Sequence, residues 1–345
     1  MEYKKLPNTD VRVSKICLGT MTFGNQNTEA EGHQQMDYAL DQGVNFFDTA
    51  ELYPVPASAD TQGETERIMG TWFKKTGKRS EVILASKVAG PGDYTKHIRE
   101  HLSFKKAHID EAVHQSLKRL QTDYIDLYQL HWPERDTQRF GQRGFIYRPD
   151  DPWEENFEEV LDALQAHVKA GNIRYVGLSN ENPWGIMRFL QASNANRPRM
   201  ITIQNPYSLL NRQFEGGSSE ICHRENMGLL AYSPLGFGVL TGKYLNGKQP
   251  EKARLTLFPR FARYSSEQAI QATEAYAQIA ADAGLSLTQL SLAFVNDRSF
   301  VTSNIIGATT LEQLKENIDS YSVKLSTEVL KAIEKIHNTI PDPSP

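Results

Sequence analysis

Short apolar segments alternate with helical segments eight times along the chain, and this alternation limits the possible folds more than any other feature. The apolar segments, which we predict to be strands, are residues 15–24 (with the loop that follows), 45–48, 81–88, 124–131, 173–180, 200–207, 228–233 and 304–308. The helical segments after them are residues 28–42, 64–75, 109–120, 153–170, 183–192, 219–225, 267–283 with 287–294, and 311–320. Apolar strands that alternate with helices indicate a parallel sheet whose two faces are both buried.

Eight such units in a chain of 345 residues favour a closed (β/α)8 TIM barrel. The alternative is an open doubly wound sheet, which commonly has a Gly-x-Gly-x-x-Gly turn after its first strand, and the sequence has no such turn. No linker or change of composition divides the chain, so we predict one α/β domain over residues 1–345. Residues 3–6 and 11–16 are predicted to form a hairpin below the barrel, and residues 327–337 an extra C-terminal helix.

Composition and charge exclude several classes of partner and site. The chain is 39% hydrophobic and 23% charged, as expected of a globular protein, and its net charge of -4 gives no reason to expect nucleic acid or an anionic membrane as partner. Cys17 and Cys222 cannot form a disulfide framework, and the histidines show no metal-ligand spacing. Residues 1–10 lack the apolar core of a signal peptide, and no apolar run reaches membrane length. We therefore expect a cytoplasmic protein without a metal site.

Polar side chains stand at the ends of most predicted strands, where the apolar residues give way to loops. In a (β/α)8 barrel the carboxyl ends of all strands meet at one face, where active sites lie. Each side chain alone has an ordinary explanation, such as a capped turn for Asp48 or a buried amide for Gln204. Together they need partners at that face and therefore predict a site there. They are Asp48, Lys87, His131, Ser179, Asn180, Gln204, Tyr232 and Ser233.

Tyr53 lies in a proline-rich loop just after Asp48, and with Lys87 and His131 these residues are typical of a proton-donating set. The phenol of free tyrosine titrates near pH ~10, and a neighbouring ammonium such as that of Lys87 would lower this pKa. Asp48 would hold Lys87 in place, while His131 would orient a carbonyl oxygen beside the phenol. The set predicts reduction of a C=O group, in which the carbon receives a hydride and the oxygen a proton.

Seven motifs carry a resemblance to a known family over nearly the full length of the chain. They are LGTMTFG at residues 18–24, FFDTAELY at 46–53, ASKV at 85–88, LYQLHWP at 127–133, VGLSN at 176–180, AYSPLG at 231–236 and IIGATTLEQLKEN at 305–317. In this order and spacing they resemble the aldo-keto reductases, in particular the bacterial Tas-type branch and more distantly the reductases related to potassium-channel β subunits. The resemblance implies an NADP(H)-dependent oxidoreductase of small aldehydes or ketones, with Tyr53 as general acid and Asp48, Lys87 and His131 supporting it.

The resemblance also implies which residues bind the cofactor. Ser179, Asn180 and Gln204 match the residues that bind the nicotinamide carboxamide, and Tyr232 matches the aromatic residue on which the nicotinamide ring stacks. The start of the last barrel helix favours an anion, as a phosphate would require. The other implied positions are Gly19, Thr20, Met21, Asp48, Ser233, Pro234, Leu235, Gly236, Leu240, Lys243, Arg254, Gly307, Thr309, Gln313, Glu316 and Asn317.

The chain departs from the family pattern at the 2′-phosphate. Many single-domain reductases of the family carry a lysine for this phosphate, and this chain has Gly307 at that position. Lys243 and Arg254 are the expected substitutes, since both lie in the long loop predicted over residues 236–265. The expected cofactor is therefore still NADP(H).

Two further departures lie on the substrate side. Residues 54–63 form a longer excursion after Tyr53 than the Tyr-Gly turn of many relatives, and residues 133–152 form a long loop. Its arginines either favour anionic substrates or are simply solvated; they are Arg135, Arg139, Arg143 and Arg148. Two functions stand as hypotheses: a carbonyl reductase, or a dinucleotide-binding redox-sensing or regulatory protein that retains a reductase site. The presence of all four catalytic positions favours the enzyme.

Overall fold

A short antiparallel hairpin precedes a closed barrel of eight parallel strands in the computed structural model of the protein, which describes residues 1–345. The hairpin strands are β1 (Tyr3–Lys5) and β2 (Arg12–Ser14). The barrel strands are β3 (Ile16–Gly19), β4 (Phe46–Asp48), β5 (Ile83–Val88), β6 (Ile125–Leu130), β7 (Ile173–Ser179), β8 (Met200–Pro206), β9 (Gly228–Tyr232) and β10 (Val301–Ile306). Each barrel strand pairs with the next, and β10 closes the ring on β3. The predicted (β/α)8 barrel is confirmed.

Helices follow the barrel strands, and all but the four-residue α7 cover the outside of the barrel. They are α1 (Glu29–Asp41), α2 (Glu64–Thr76), α3 (Lys106–Leu120), α4 (Phe157–Ala170), α5 (Pro183–Ala192), α6 (Ser218–Arg224), α7 (Arg254–Leu257), α8 (Glu267–Asp282), α9 (Leu287–Asn296), α10 (Leu311–Asp319) and α11 (Thr327–Thr339). Local signals set several ends: Thr28 begins α1 with a capping box, and Gly77 and Gly171 end α2 and α4 with φ of 70° and 80°. The extra C-terminal helix α11 packs against α8. None of the helices has both the length and the apolar character needed to cross a membrane.

The structure differs from the prediction where a segment is polar or irregular. Strand β10 begins at Val301, which pairs with Leu229, although the prediction began it at residue 304. Thr302 and Ser303 interrupt the apolar pattern there, and pairing with β9 extends the strand regardless. The segment 236–265, predicted as a long loop, contains α7 and three short 3-10 turns. These turns are Gly236–Thr241, Leu245–Gly247 and Ala262–Tyr264.

The lower part of the barrel interior is apolar, and the hairpin closes it from below. The inner cluster consists of Leu6, Val11 and Val13 from the hairpin with Cys17, Phe46, Ala85, Leu127, Ile201, Leu230 and Ile305 from the strands. Side chains that face one side of a strand recur at every second position. The inward positions two residues above Phe46, Ala85 and Leu127 are polar, and they are Asp48, Lys87 and Gln129. The alternation therefore puts a polar layer on top of the apolar one.

The residues after α11 turn back onto the carboxyl-end face of the barrel. The backbone N–H of Ser344 donates to the carbonyl of Leu210 at 3.0 Å, and the N–H of Arg212 donates to the carboxylate of Asp342 at 2.5 Å. Pro343 and Pro345 are buried there and line the cavity described below. The proline-rich tail is thus part of the wall above the barrel.

Candidate active site

The carboxyl ends of the barrel strands open into one large cavity with a volume of about 1550 Å³. Of the four catalytic residues predicted from the sequence, Asp48, Tyr53 and His131 line this cavity, and Lys87 lies behind Asp48 and Tyr53. The predicted cofactor-binding residues on its wall are Gly19, Thr20, Met21, Asp48, Ser179, Asn180, Gln204, Tyr232, Ser233, Pro234, Leu235, Lys243, Arg254, Gly307, Thr309, Gln313, Glu316 and Asn317. The fold therefore brings residues from many separate strands and loops to one site.

Lys87 is the centre of a buried charged group at the bottom of the cavity. Its Nζ donates to the Asp48 carboxylate at 2.6 Å and to the carbonyl of Thr49 at 2.8 Å. The same ammonium lies 3.4 Å from the Tyr53 hydroxyl. Strand β5 aims Lys87 into the barrel, and the loop after β4 lays Tyr53 over it. The arrangement can support a negative charge on the phenol oxygen.

Burial raises the pKa of the Tyr53 phenol above its usual value, and the Lys87 ammonium offsets this only in part. Lys87 lowers this pKa, as expected from the sequence, but the cost of burying a phenolate is larger than the effect of the nearby charge, so the net shift is upward. Burial also acts to lower the pKa of Lys87, but Asp48 and Tyr53 together raise it above its usual value. Lys87 therefore stays an ammonium, and Tyr53 stays a phenol with a proton to donate.

His131 follows strand β6 and is buried against the same site. Its ring meets that of Tyr53 edge-on, with 5.7 Å between the ring centroids. Burial lowers the pKa of His131 well below its usual value, and the charge of Lys87 lowers it further. The imidazole is therefore neutral, and its Nδ1 has no hydrogen-bond partner within the protein.

Two amides complete the polar layer around Asp48. The Gln204 side-chain amide donates to Asp48 Oδ1 at 2.8 Å and to Gln129 Oε1 at 3.2 Å. Gln129 also donates to Asp48 Oδ1, at 3.3 Å. Gln129 was not among the site residues predicted from the sequence. Its position two residues before His131, on the inward side of β6, is the signal that could have revealed it.

Tyr232 and Asn180 form a bridge across the cavity wall. The Tyr232 hydroxyl donates to Asn180 Oδ1 at 2.6 Å, and Asn180 Nδ2 donates to the carbonyl of His131 at 2.9 Å. Burial raises the pKa of Tyr232 to about 12. Beside them, the Ser179 hydroxyl donates to the carbonyl of Gln204 at 2.9 Å. The side-chain amide of Asn180 thus links the backbone of His131 to the ring of Tyr232, the residue expected to stack on a nicotinamide.

The segment after β9 contributes two cations to the cavity wall. Burial lowers the pKa of Lys243, and the positive charge of Arg254 lowers it further. Burial likewise lowers the pKa of Arg254, and no carboxylate compensates either group. The charge of Arg254 also lowers the pKa of Tyr53, by less than the charge of Lys87 does. Two unpaired cations in one cavity make this part of the wall suited to an anion.

Gly236 and Leu240, two of the predicted cofactor residues, do not line the cavity. Gly236 has a φ of 53°, and a Cβ there would stand 3.0 Å from the ring of Tyr264. Gly236 therefore allows a tight turn beside the cavity wall, and its contact with the cofactor stays a prediction. Leu240 is fully buried in the main hydrophobic core. The 3-10 turn that contains Leu240 directs this apolar side chain inward, so the prediction that it binds the cofactor is not supported by its position.

The far end of the cavity is bounded by the loop after β10 and by helix α10. The Thr309 N–H donates to Gln313 Oε1 at 3.0 Å, and Asn317 Nδ2 donates to the carbonyl of Gly307 at 3.1 Å. Glu316 accepts a hydrogen bond from Ser286 at 2.6 Å. A Cβ at Gly307 would meet nothing within 4 Å, so packing does not require a glycine at this position.

The four arginines of the loop 133–152 have different environments. Arg135 is buried and pairs with Glu181, Arg139 donates to the carbonyl of Arg135 at 3.2 Å, and Arg148 pairs with Asp136 at 3.1 Å. Arg143 lines the cavity, where it donates to the carbonyl of Asp342 at 2.9 Å. Of these four arginines only Arg143 lines the cavity, so contact with an anionic substrate stays a prediction for Arg143 alone.

The tail brings a further arginine to this part of the wall. Arg263 lines the cavity and donates through Nε to the carbonyl of Pro345. Arg263 was not predicted from the sequence, because it lies in an irregular segment and its partner is more than 80 residues away along the chain. The excursion after Tyr53 also reaches the cavity, through Val55 and Pro56.

The chain is similar to a known family over most of its length. Residues 15–338 match the profile of the Aldo/keto reductase family. The chain is 51% identical to "Protein tas" of Escherichia coli K12, with the whole of both chains covered. It is 34% identical to "Uncharacterized oxidoreductase YrpG" of Bacillus subtilis, over 97% of this chain and 96% of that one. It is 31% identical to "Probable voltage-gated potassium channel subunit beta" of rice (Oryza sativa subsp. japonica), over 99% and 98% of the two chains. The chain therefore belongs to the aldo/keto reductase family, a family of oxidoreductases that generally use nicotinamide cofactors.

Proposed function

We propose that the protein is an NADP(H)-dependent reductase that converts small aldehydes or ketones to alcohols. The observation that carries the proposal is the Tyr53 hydroxyl, which lies on the cavity wall 3.4 Å from the buried Lys87 ammonium. A protonated phenol beside a fixed cation is suited to give a proton to an oxygen that gains negative charge. Neither nucleic acid nor a membrane is proposed as a partner, and the proposed location is the cytoplasm.

The proposed reaction assigns one task to each of the four residues. When bound, NADPH would supply the hydride that reaches the carbonyl carbon. Tyr53 donates its proton to the carbonyl oxygen, and Lys87, 3.4 Å away, stabilises the phenolate that remains. Asp48 keeps Lys87 charged and in place through their 2.6 Å contact. The neutral His131 forms a hydrogen bond to the carbonyl oxygen and orients it toward Tyr53.

The residues on the cavity wall fit a phosphorylated dinucleotide. Lys243 and Arg254 are partly buried cations without a carboxylate partner, and an anion would relieve the repulsion between them. We assign them to the phosphates of NADP(H). Tyr232 would stack on the nicotinamide, with Ser179, Asn180 and Gln204 around its carboxamide. The adenosine end would lie along the loop after β10 and the first turns of α10, where an anion is favoured.

A second candidate is a dinucleotide-binding protein that senses redox state or regulates a partner while it retains a reductase site. The similarity to a plant protein named as a channel subunit favours keeping this candidate. The two proposals differ in turnover. An enzyme consumes many equivalents of NADPH when a carbonyl compound is supplied, whereas a sensor consumes about one equivalent and holds the oxidised cofactor.

The test is an absorbance assay of NADPH consumption by the purified protein with a panel of aldehydes, ketones and quinones. Parallel assays with NADH measure the cofactor preference. Repeated turnover with at least one carbonyl class would support the reductase. Tight NADPH binding with a single equivalent consumed would favour the second candidate, and no binding of either nucleotide would refute both.

A further inference from the structure

Arg135 and Glu181 form a buried ion pair directly behind the cavity wall. Arg135 Nη1 donates to Glu181 Oε2 at 2.9 Å, and Nη2 donates to the other carboxylate oxygen. The two side chains are only 8% and 3% exposed. The guanidinium also lies 4.8 Å from the ring centroid of Trp184 and 5.8 Å from that of Trp153, so aromatic rings exclude water from the pair.

Stability alone does not explain such a pair. Removing two charges from water is costly, and well-packed apolar residues often replace a buried ion pair without loss of stability. A bidentate contact between a guanidinium and a carboxylate does fix the relative position of two backbone segments. The segments that this pair joins are the one that follows His131 and the one that follows Asn180.

Asn180 connects two other residues of the cavity wall through its side chain. Its backbone has a φ of 53°, in the left-handed region that asparagine adopts more readily than most non-glycine residues, and this conformation turns the chain at the end of β7. Its side chain forms hydrogen bonds to the carbonyl of His131 at 2.9 Å and to the hydroxyl of Tyr232 at 2.6 Å. Any shift of Asn180 would therefore move both of these contacts on the cavity wall.

Glu181, the next residue, is held at its backbone and at its side chain. Its carbonyl accepts a hydrogen bond from Asn205 Nδ2 at 2.8 Å, and its carboxylate accepts from Arg135 and from the N–H of Asn182 at 2.7 Å. A second link runs alongside, since Asn182 Nδ2 donates to the Thr137 hydroxyl at 2.5 Å. The ion pair and the Asn182–Thr137 hydrogen bond therefore form a contact, called the seam below, between the start of the loop 133–152 and the β7–α5 loop.

We propose that Arg135 and Glu181 are positioning residues for the nicotinamide site. They fix the backbone next to Asn180. Asn180 in turn fixes the distance between the backbone of His131 and the ring of Tyr232. The inference rests on the proposed function, since it assigns Tyr232 to the nicotinamide. Neither Arg135 nor Glu181 needs to touch the cofactor or the substrate. Through this seam, changes in the loop 133–152 would affect hydride transfer as well as substrate binding.

The test compares Glu181→Gln with the double variant Arg135→Met/Glu181→Gln. The single variant leaves Arg135 buried without a charged partner, so Tm should fall; the double variant removes both charges, so Tm should recover. A positioning role predicts that kcat falls by up to about 100-fold in the single variant, because small misplacements of reacting groups are that costly. The same role predicts that kcat stays low in the double variant although Tm recovers.

Binding of a cofactor fragment distinguishes a change at the nicotinamide site from a general loss of structure. NADPH affinity should fall in Glu181→Gln, whereas the affinity for 2′,5′-ADP, which lacks the nicotinamide half, should stay at the parent value. The matched control is Asp126→Asn at the opposite end of the barrel, where a carboxylate of 1% exposure pairs with Arg79 at 2.9 Å. This control should lower Tm without the selective loss of NADPH affinity. If Glu181→Gln does not fold, Arg135→Lys, which keeps the charge and loses the bidentate contact, serves in its place.

The proposal is overturned if Glu181→Gln retains the parent kcat and NADPH affinity. It is equally overturned if kcat recovers together with Tm in the double variant, since the pair would then be only structural. Equal losses for NADPH and 2′,5′-ADP would also contradict it. A wrong proposed function would give a different result, because the parent protein itself would then bind no NADPH or would convert no carbonyl compound.

Discussion

Replacing Tyr53 with phenylalanine tests the proposed proton donor while leaving the fold intact. The substitution removes one oxygen, whose protein contact is the Lys87 ammonium at a rather long 3.4 Å. Lys87 keeps its 2.6 Å contact with Asp48 and its 2.8 Å hydrogen bond to the carbonyl of Thr49. The ring still packs in its small cluster with Trp132. We therefore expect a loss of no more than about 1 kcal/mol in the free energy of unfolding.

The effect on catalysis should be much larger than the effect on stability. A positioned general acid contributes ~10²–10⁴-fold to the rate. At about 1.36 kcal/mol per tenfold, the loss corresponds to about 2.7–5.4 kcal/mol in the activation free energy. NADPH affinity should change little, since the nicotinamide is assigned to Tyr232 and its neighbours. The expected result for Tyr53→Phe is thus a folded protein that binds cofactor and has lost its turnover.

The assay combines steady-state NADPH oxidation with an active aldehyde, a fluorescence titration with NADPH, and thermal unfolding. Tyr94→Phe is the matched control, because Tyr94 also lines the cavity, packs its ring 5.6 Å from Trp132 and is 49% exposed. The control should keep the parent rate. A Tyr53→Phe protein that is folded, binds NADPH and reduces the aldehyde at near the parent rate would refute the assignment of the acid.

Four further outcomes are expected. Lys87→Met should lower kcat and should also lower the free energy of unfolding by about 3–5 kcal/mol in chemical denaturation, because it leaves the buried Asp48 carboxylate without its cation. In the double variant with Tyr53→Phe, the two losses in kcat should not be additive, since both residues serve one proton transfer. Arg254→Ala should weaken NADPH more than NADH in fluorescence titrations if this guanidinium binds the 2′-phosphate, by roughly ten- to a hundredfold, and equal losses would assign it to the pyrophosphate instead. Gly307→Lys should fold normally, since a Cβ there meets nothing within 4 Å, and should strengthen NADPH selectively in the same titration. The pH profile of kcat for reduction should be flat between the usual pKa values of histidine and tyrosine, about 6.5 and about 10, because the pKa of His131 lies below this window and that of Tyr53 above it; a limb inside the window would contradict these directions.

Sequence alone determined the barrel because its signals are local and repeated. The alternation of apolar strands with helices depends on spacings of two and about 3.6 residues, which are properties of neighbouring residues. The capping residue Thr28 and the glycines Gly77 and Gly171 mark helix ends in the same local way. Barrel topology then requires that Asp48 and Lys87, at the carboxyl ends of two strands, lie at one face.

Tertiary structure decided every feature that depends on burial or on a distant partner. The net direction of the Tyr53 pKa could not be read from the motif, because it depends on how completely the fold excludes water from the phenol. Arg135 is a buried partner of Glu181, although the sequence placed it in a charged loop. Leu240 is a core residue, although the sequence placed it among the residues that bind the cofactor. Arg263 meets the tail at Pro345 across a long sequence separation. Spacing along the chain carries no information about such contacts, since they arise only when the closed barrel brings its loops together over one cavity.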